Sequence, residues 1–242
     1  REQVVLVHGL WMTGRESVVL RRRLEQHGFA VHQFSYRSVA ADMAENASRL
    51  NAFAQAVEGD VVHYVGHSLG GLVILRMLAD FPDQRPGRVT LLGSPLQGSE
   101  VAERLATWPF GERVLGKSIA EEVLAAPERT WDGSRDLGII AGNRALGMGR
   151  VVKALKRPND GTVAVAETRL PGARAHRVLP VSHSSLLFST AVADHAAEFL
   201  REGRFPPKGT GKARKNKAMD KSSAAPSDAP DAPDHGEDAA PG

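Results

Sequence analysis

Short apolar runs recur along this chain, and longer amphipathic stretches separate them. Gln3–Val7 reads QVVLV, with no polar residue after the first. A strand exposed on one face alternates apolar and polar residues, whereas a strand covered on both faces stays apolar throughout. The run therefore predicts a strand buried on both sides, as in a parallel sheet. Comparable runs predict strands at residues 29–34, 60–65, 88–92, 136–141 and 174–181. Helical spacing predicts helices over residues 13–27, 38–57, 69–80 and 184–200. Gly28 and Pro82 stand where two of these helices stop. Strands alternating with helices form βαβ units, so the expected architecture is an α/β fold: a mostly parallel sheet of about six strands with helices on both faces. In such sheets ligands bind beyond the carboxyl ends of the strands.

Two segments depart from the alternation. Residues 95–135 hold Trp108 and Trp131 and read as an insertion at the carboxyl edge, a candidate cap or substrate wall. Residues 207–242 are rich in Ala, Pro, Asp, Lys and Gly, basic at first (Lys208, Lys212, Arg214, Lys215) and acidic at the end (Asp231, Asp234, Glu237, Asp238). Such material cannot bury enough apolar surface to offset its ordering entropy. The expected organisation is one folded α/β domain over residues 1–206 and a disordered tail over 207–242.

Charge and composition remove several classes of function. The net charge is +3, and no basic stripe interleaved with aromatics appears, so nucleic acid is not an expected partner. No apolar run reaches the ~18 residues of a membrane-spanning helix. The chain has no cysteine, which removes disulfides and a thiolate nucleophile. A monomer in the cytoplasm is the expected state. Secretion stays open as the alternative, because the chain begins at Arg1 rather than Met.

The segment Gly66-His67-Ser68-Leu69-Gly70-Gly71 lies directly between the third strand and its helix. This is a G-x-S-x-G pattern in the strand–turn–helix setting that lifts a serine hydroxyl clear of a sheet. Glycine neighbours leave room for a tight turn, and the helix N-terminus favours developing negative charge. A serine at its free pKa is a poor nucleophile and needs a base with an orienting acid. Of the nine histidines, His183 follows the last strand, in Val181-Ser182-His183-Ser184. His67, inside the turn, is expected to point elsewhere. Chain order places the acid between serine and histidine, and Asn159-Asp160-Gly161 offers Asp160 in a turn. Asp132, Asp136 and Glu167 are its rivals. Oxyanion donors are expected from the backbone N–H groups of Leu69 and of Leu10, the latter in the loop His8-Gly9-Leu10-Trp11. Trp11 and Met12 are candidate substrate-binding residues. No metal-ligand spacing is apparent.

Together these motifs resemble the α/β-hydrolase superfamily and, within it, the lipase and esterase branch. The resemblance runs from about Val4 to Leu200 and rests on the HG-x-W loop, the GHSLGG turn, Gly93-Ser94-Pro95-Leu96-Gln97-Gly98-Ser99 and Asp160-Gly161-Thr162-Val163. The third segment is similar to one found in bacterial lipases and in GPI inositol-deacylase-like hydrolases. The resemblance implies hydrolysis of a small-molecule ester or lipid by Ser68, Asp160 and His183, with no cofactor. It also implies a compact sheet, because no strand precedes Gln3. Gln97 stands where His or Asn is common, which points away from a long-chain lipase. Acyl transfer, thioester or amide hydrolysis use the same residues and remain alternatives. A catalytically silent binding protein is the alternative from another class.

Overall fold

The computed structural model describes residues 1–207, apart from 11, 13–14, 37, 112–114, 117–119, 125–128 and 147–154. Trp11, and the tail from residue 208 onward, lie outside the described residues. Six strands form a single parallel sheet: β1 (Gln3–Val7), β2 (Ala30–Phe34), β3 (Val62–His67), β4 (Val89–Leu92), β5 (Leu137–Gly142) and β6 (Ala175–Leu179). Their order is β2-β1-β3-β4-β5-β6. The expected α/β architecture is the one the chain adopts.

The apolar runs are explained by cover on both faces. In β1, Val5 and Val7 pack with α2 (Met43–Ala56) and α3 (Leu69–Asp80), while Val4 and Leu6 pack with α1 (Val18–Gln26) and the last helix, Thr190–Glu202. All four are fully buried. A strand whose odd and even residues both meet helices has no face left for polar side chains. Burying each such side chain contributes about 1.5–3 kcal/mol.

Helix boundaries depart from expectation at three places. The first helix begins at Val18 rather than at residue 13, preceded by a 3-10 turn at Arg15–Ser17. The second starts at Met43, because the Asp42 carboxylate accepts the Glu45 N–H at 2.8 Å and so fixes the N-terminus there. The closing helix is two pieces: a 3-10 turn at Ser184–Leu187, then α5 (Thr190–Glu202). Ser189, between them, caps the second piece by accepting the Val192 N–H.

The insertion after β4 contains α4 (Glu100–Ala106) and a π-helical turn at Ala120–Leu124. Ser99 caps α4 through the Ala102 N–H. Trp131 packs against the core on the α2–α3 side, with its indole N–H donated to the Arg135 carbonyl at 2.8 Å, whereas Trp108 is exposed. Among the described residues no helix is long and apolar enough to cross a membrane.

Candidate active site

The turn from β3 into α3 concentrates backbone strain on one residue. Ser68 has φ 52° and ψ −124°, a conformation that L-residues with a Cβ avoid. It is held there from both sides. The Ser68 N–H donates to the Leu92 carbonyl at 2.9 Å, and its own carbonyl accepts the Gly71 N–H at 3.1 Å. The glycines around it serve close packing. A Cβ on Gly66 would lie 2.7 Å from the Gly71 backbone, and one on Gly70 would lie 2.4 Å from the Val7 carbonyl oxygen. Helix α3 can therefore start directly against the ends of β3 and β1 only if these positions lack side chains.

Asp160 and His183 meet across the loops that follow β5 and β6. His183 Nδ1 is 2.7 Å from Asp160 Oδ2, and the His183 N–H also donates to the Asp160 carbonyl. The other carboxylate oxygen, Oδ1, accepts the Thr162 N–H at 2.9 Å and the Val163 N–H at 2.8 Å. The carboxylate is buried at 1% exposure, yet each of its oxygens meets a donor. The rival carboxylates are engaged elsewhere. Asp136, just before β5, pairs with Arg88 and Arg174. Asp132 accepts the Ser134 N–H. Glu167 binds backbone amides rather than a histidine.

Ser68 and His183 line one cavity of about 500 Å3. Gly9, Leu10, Met12 and Leu69 line it as well, so all of the expected site residues that are described, except the buried Asp160 behind His183, reach the cavity wall. The insertion supplies Pro95, Ser99, Val101, Ala102, Leu105, Leu115 and Val123. The walls are therefore mainly apolar, with Glu16, Ser99, Thr162 and Ser184 adding polar groups to those of His67, Ser68 and His183.

Two histidines have structural tasks that sequence reasoning did not assign. His67 was expected to point elsewhere, but it lines the same cavity and its ring centroid is 4.8 Å from that of His183. Its Nε2–H donates to the His183 carbonyl at 3.2 Å. Burial first, and then the neighbouring His183, depress its pKa to about 3. His8 is fully buried and stacks on Tyr36 at 4.5 Å. Its Nδ1 contacts the Gly9 carbonyl at 2.8 Å, while its Nε2 lies 3.3 Å from the Tyr36 N–H. Only the neutral tautomer with hydrogen on Nδ1 satisfies both contacts. Desolvation lowers the His8 pKa, in keeping with that neutral form. A trans peptide directs N–H and C=O to opposite sides. With the Gly9 carbonyl held by the His8 ring, the Leu10 N–H is turned away from that ring. A His-Gly pair after a first strand was the signal available in the sequence.

A family model described as the alpha/beta hydrolase family matches residues 4–209. The chain belongs to this family. Among solved structures, the hydrolase is similar to the Bacillus licheniformis lipase BlEst2 in mature form, with a TM-score of 0.70 at 19% identity, over 85% of this chain and 93% of that one. It is also similar to the metagenomic carboxyl esterase MGS0156, with a TM-score of 0.57 at 19% identity, over 84% and 74% of the two chains. A third likeness is to phospholipase PlaB from Legionella pneumophila, with a TM-score of 0.63 at 14% identity, over 91% and 62%. None of the curated protein sequences matches this chain. These likenesses show a shared fold. Among the described residues, no group of three or more His, Asp or Glu is arranged to hold a metal ion.

Proposed function

We propose that this hydrolase cleaves carboxylic esters through an acyl-enzyme on Ser68, with His183 as general base and Asp160 as its orienting acid. The observation that carries the reading is the 2.7 Å contact between His183 Nδ1 and Asp160 Oδ2, in a histidine that shares a cavity with the strained Ser68. Asp160 accepts a hydrogen bond from the Nδ1–H, which stays on the ring and leaves Nε2 as the basic nitrogen. Nε2 takes the Ser68 hydroxyl proton as Oγ attacks the ester carbonyl. The tetrahedral oxyanion is held by the N–H groups of Leu69 and Leu10. The elbow geometry and the His8-held Gly9 carbonyl support those two donors. The imidazolium then gives its proton to the departing alkoxide. Water, deprotonated by the same nitrogen, attacks the acyl-enzyme and releases the carboxylic acid.

The mainly apolar walls favour an aliphatic acyl group, a small-molecule ester or a lipid, with Met12 against it. The test is a fluorophosphonate probe together with a panel of short-chain and long-chain esters, a thioester and an amide. Wild type is expected to be labelled and to prefer the esters, and Ser68→Ala to be neither labelled nor active. Equal labelling of the two proteins would sink the reading.

A further inference from the structure

Glu167, one of the carboxylates weighed as the acid, sits at a junction between two walls of the cavity. Its Oε1 accepts the Glu100 N–H at 2.7 Å, at the first turn of α4. Its Oε2 accepts the Ala164 N–H at 2.8 Å, in the loop that carries Asp160. Its backbone carbonyl accepts the N–H groups of Leu96 and Gln97 at 2.8 and 3.0 Å, in the loop that follows β4. Four amides from three segments therefore converge on this residue. Both ends of the link reach the cavity. Val101, Ala102 and Leu105 of α4 line it, and so do Thr162 and Val163 of the acid loop, the same two residues whose amides hold Asp160 Oδ1. Glu167 itself does not line the cavity.

We propose that Glu167 is a positioning residue that joins the Asp160 loop to the acyl-binding wall of α4, so that the charge behind His183 and the width of the acyl pocket are set together. The proposal rests on the serine-hydrolase reading above. A carboxylate suits this task because each of its two oxygens can accept an amide N–H at short, charge-assisted distance. A glutamine has one oxygen, so its NH2 group must confront one of the two amides and that side of the link opens.

The link can be cut at either end. Glu167→Gln disturbs both walls while conserving shape. Of the two amides held by the Glu167 carboxylate, Glu100→Pro removes only the one on the α4 side. Proline is tolerated at the first position of a helix, and Ser99 before it already has the extended backbone (φ −148°, ψ 113°) that a following proline requires. Glu100→Ala keeps that amide while losing the ion pair with the exposed Lys156, and so is the control.

Three quantities are measured on the full chain: the fluorophosphonate labelling rate, the ratio of kcat/KM for a long-chain over a short-chain ester, and the low-field proton resonance of the His183 Nδ1–H. Glu167→Gln is expected to move the resonance, slow labelling by between about tenfold and a hundredfold, and shift the ratio. Glu100→Pro is expected to shift the ratio and spare the labelling rate, with Glu100→Ala as wild type. A purely structural Glu167 would lower thermal stability and leave all three quantities in place at a temperature well below melting, and that result overturns the proposal. So does a Glu100→Ala ratio shifted as far as that of Glu100→Pro. If Glu167→Gln does not fold, the proline and alanine pair decides alone. A wild type that cleaves no ester, but whose His183 resonance moves in Glu167→Gln, removes the enzymatic reading and leaves the link between the two loops standing.

Discussion

Asp160 Oδ2 accepts from His183 Nδ1, while Asp160 Oδ1 accepts from the amides of Thr162 and Val163. The two oxygens thus divide their tasks: one anchors the loop and the other faces the imidazole. This division makes Asp160→Asn informative. The asparagine carbonyl can keep the two amides, but its NH2 then confronts Nδ1 and favours the tautomer with hydrogen on Nε2, which cannot accept the Ser68 proton. A loss of about three to four orders of magnitude in kcat is expected, with little change in the thermal melting curve. Hydrolysis of a short-chain chromogenic ester measures it.

Gly71 lies under Ser94. A Cβ added there would be 2.1 Å from Ser94 Oγ and 2.9 Å from Ser94 Cβ. Gly71→Ala is expected to destabilise the protein by about 1–3 kcal/mol through overpacking. Ser94→Gly removes both contacting atoms and is expected to restore part of that loss in the double variant, although the nearest remaining contact is Leu91 Cδ2 at 3.2 Å. Urea unfolding midpoints of the two single variants and the double variant check the coupling.

Three buried histidines are expected to lower stability toward acid pH. Burial depresses the pKa of His67 to about 3 and of His63 to about 4, and lowers that of His8. In the unfolded chain each titrates near 6.5. Between the two values the unfolded state binds the extra proton, so stability is full above about pH 6.5 and is lost as pH falls toward the folded pKa. Each histidine adds a slope of about 1.4 kcal/mol per pH unit in that window. His67→Gln should flatten the profile between pH 6 and pH 4 by about one such slope. An unchanged profile would mean that His67 is solvated in the folded protein.

The strands were legible in the sequence because burial on both faces leaves a continuous apolar run, as in Val4 to Val7. The Ser68 turn was legible because two of its glycines mark close backbone approaches, Gly66 to Gly71 five positions on and Gly70 to the end of β1. Helix starts were less legible. Residues 38–41 share the composition of the helix that follows, and only the side-chain cap from Asp42 marks where it begins. The break near Ser189 has the same origin. Partnership among carboxylates was the least legible. Asp160 and Glu167 are seven positions apart between β5 and β6, yet one meets His183 and the other meets amides of Glu100 and Ala164. Chain order favoured Asp160, but which loop lies against which is decided by the sheet and by α4. His67 escaped for a related reason. Its partner is a backbone carbonyl 116 residues away, which leaves no local pattern.

The backbone at Ser68 carries a further consequence. Its φ of 52° costs on the order of 1–3 kcal/mol for a residue with a Cβ, and nothing for glycine. The most comfortable occupant of this position is therefore the one residue with no side chain, and so with no hydroxyl to offer. Selection for a sturdier fold alone would favour glycine here. A serine at such a point stands against the preference of the fold.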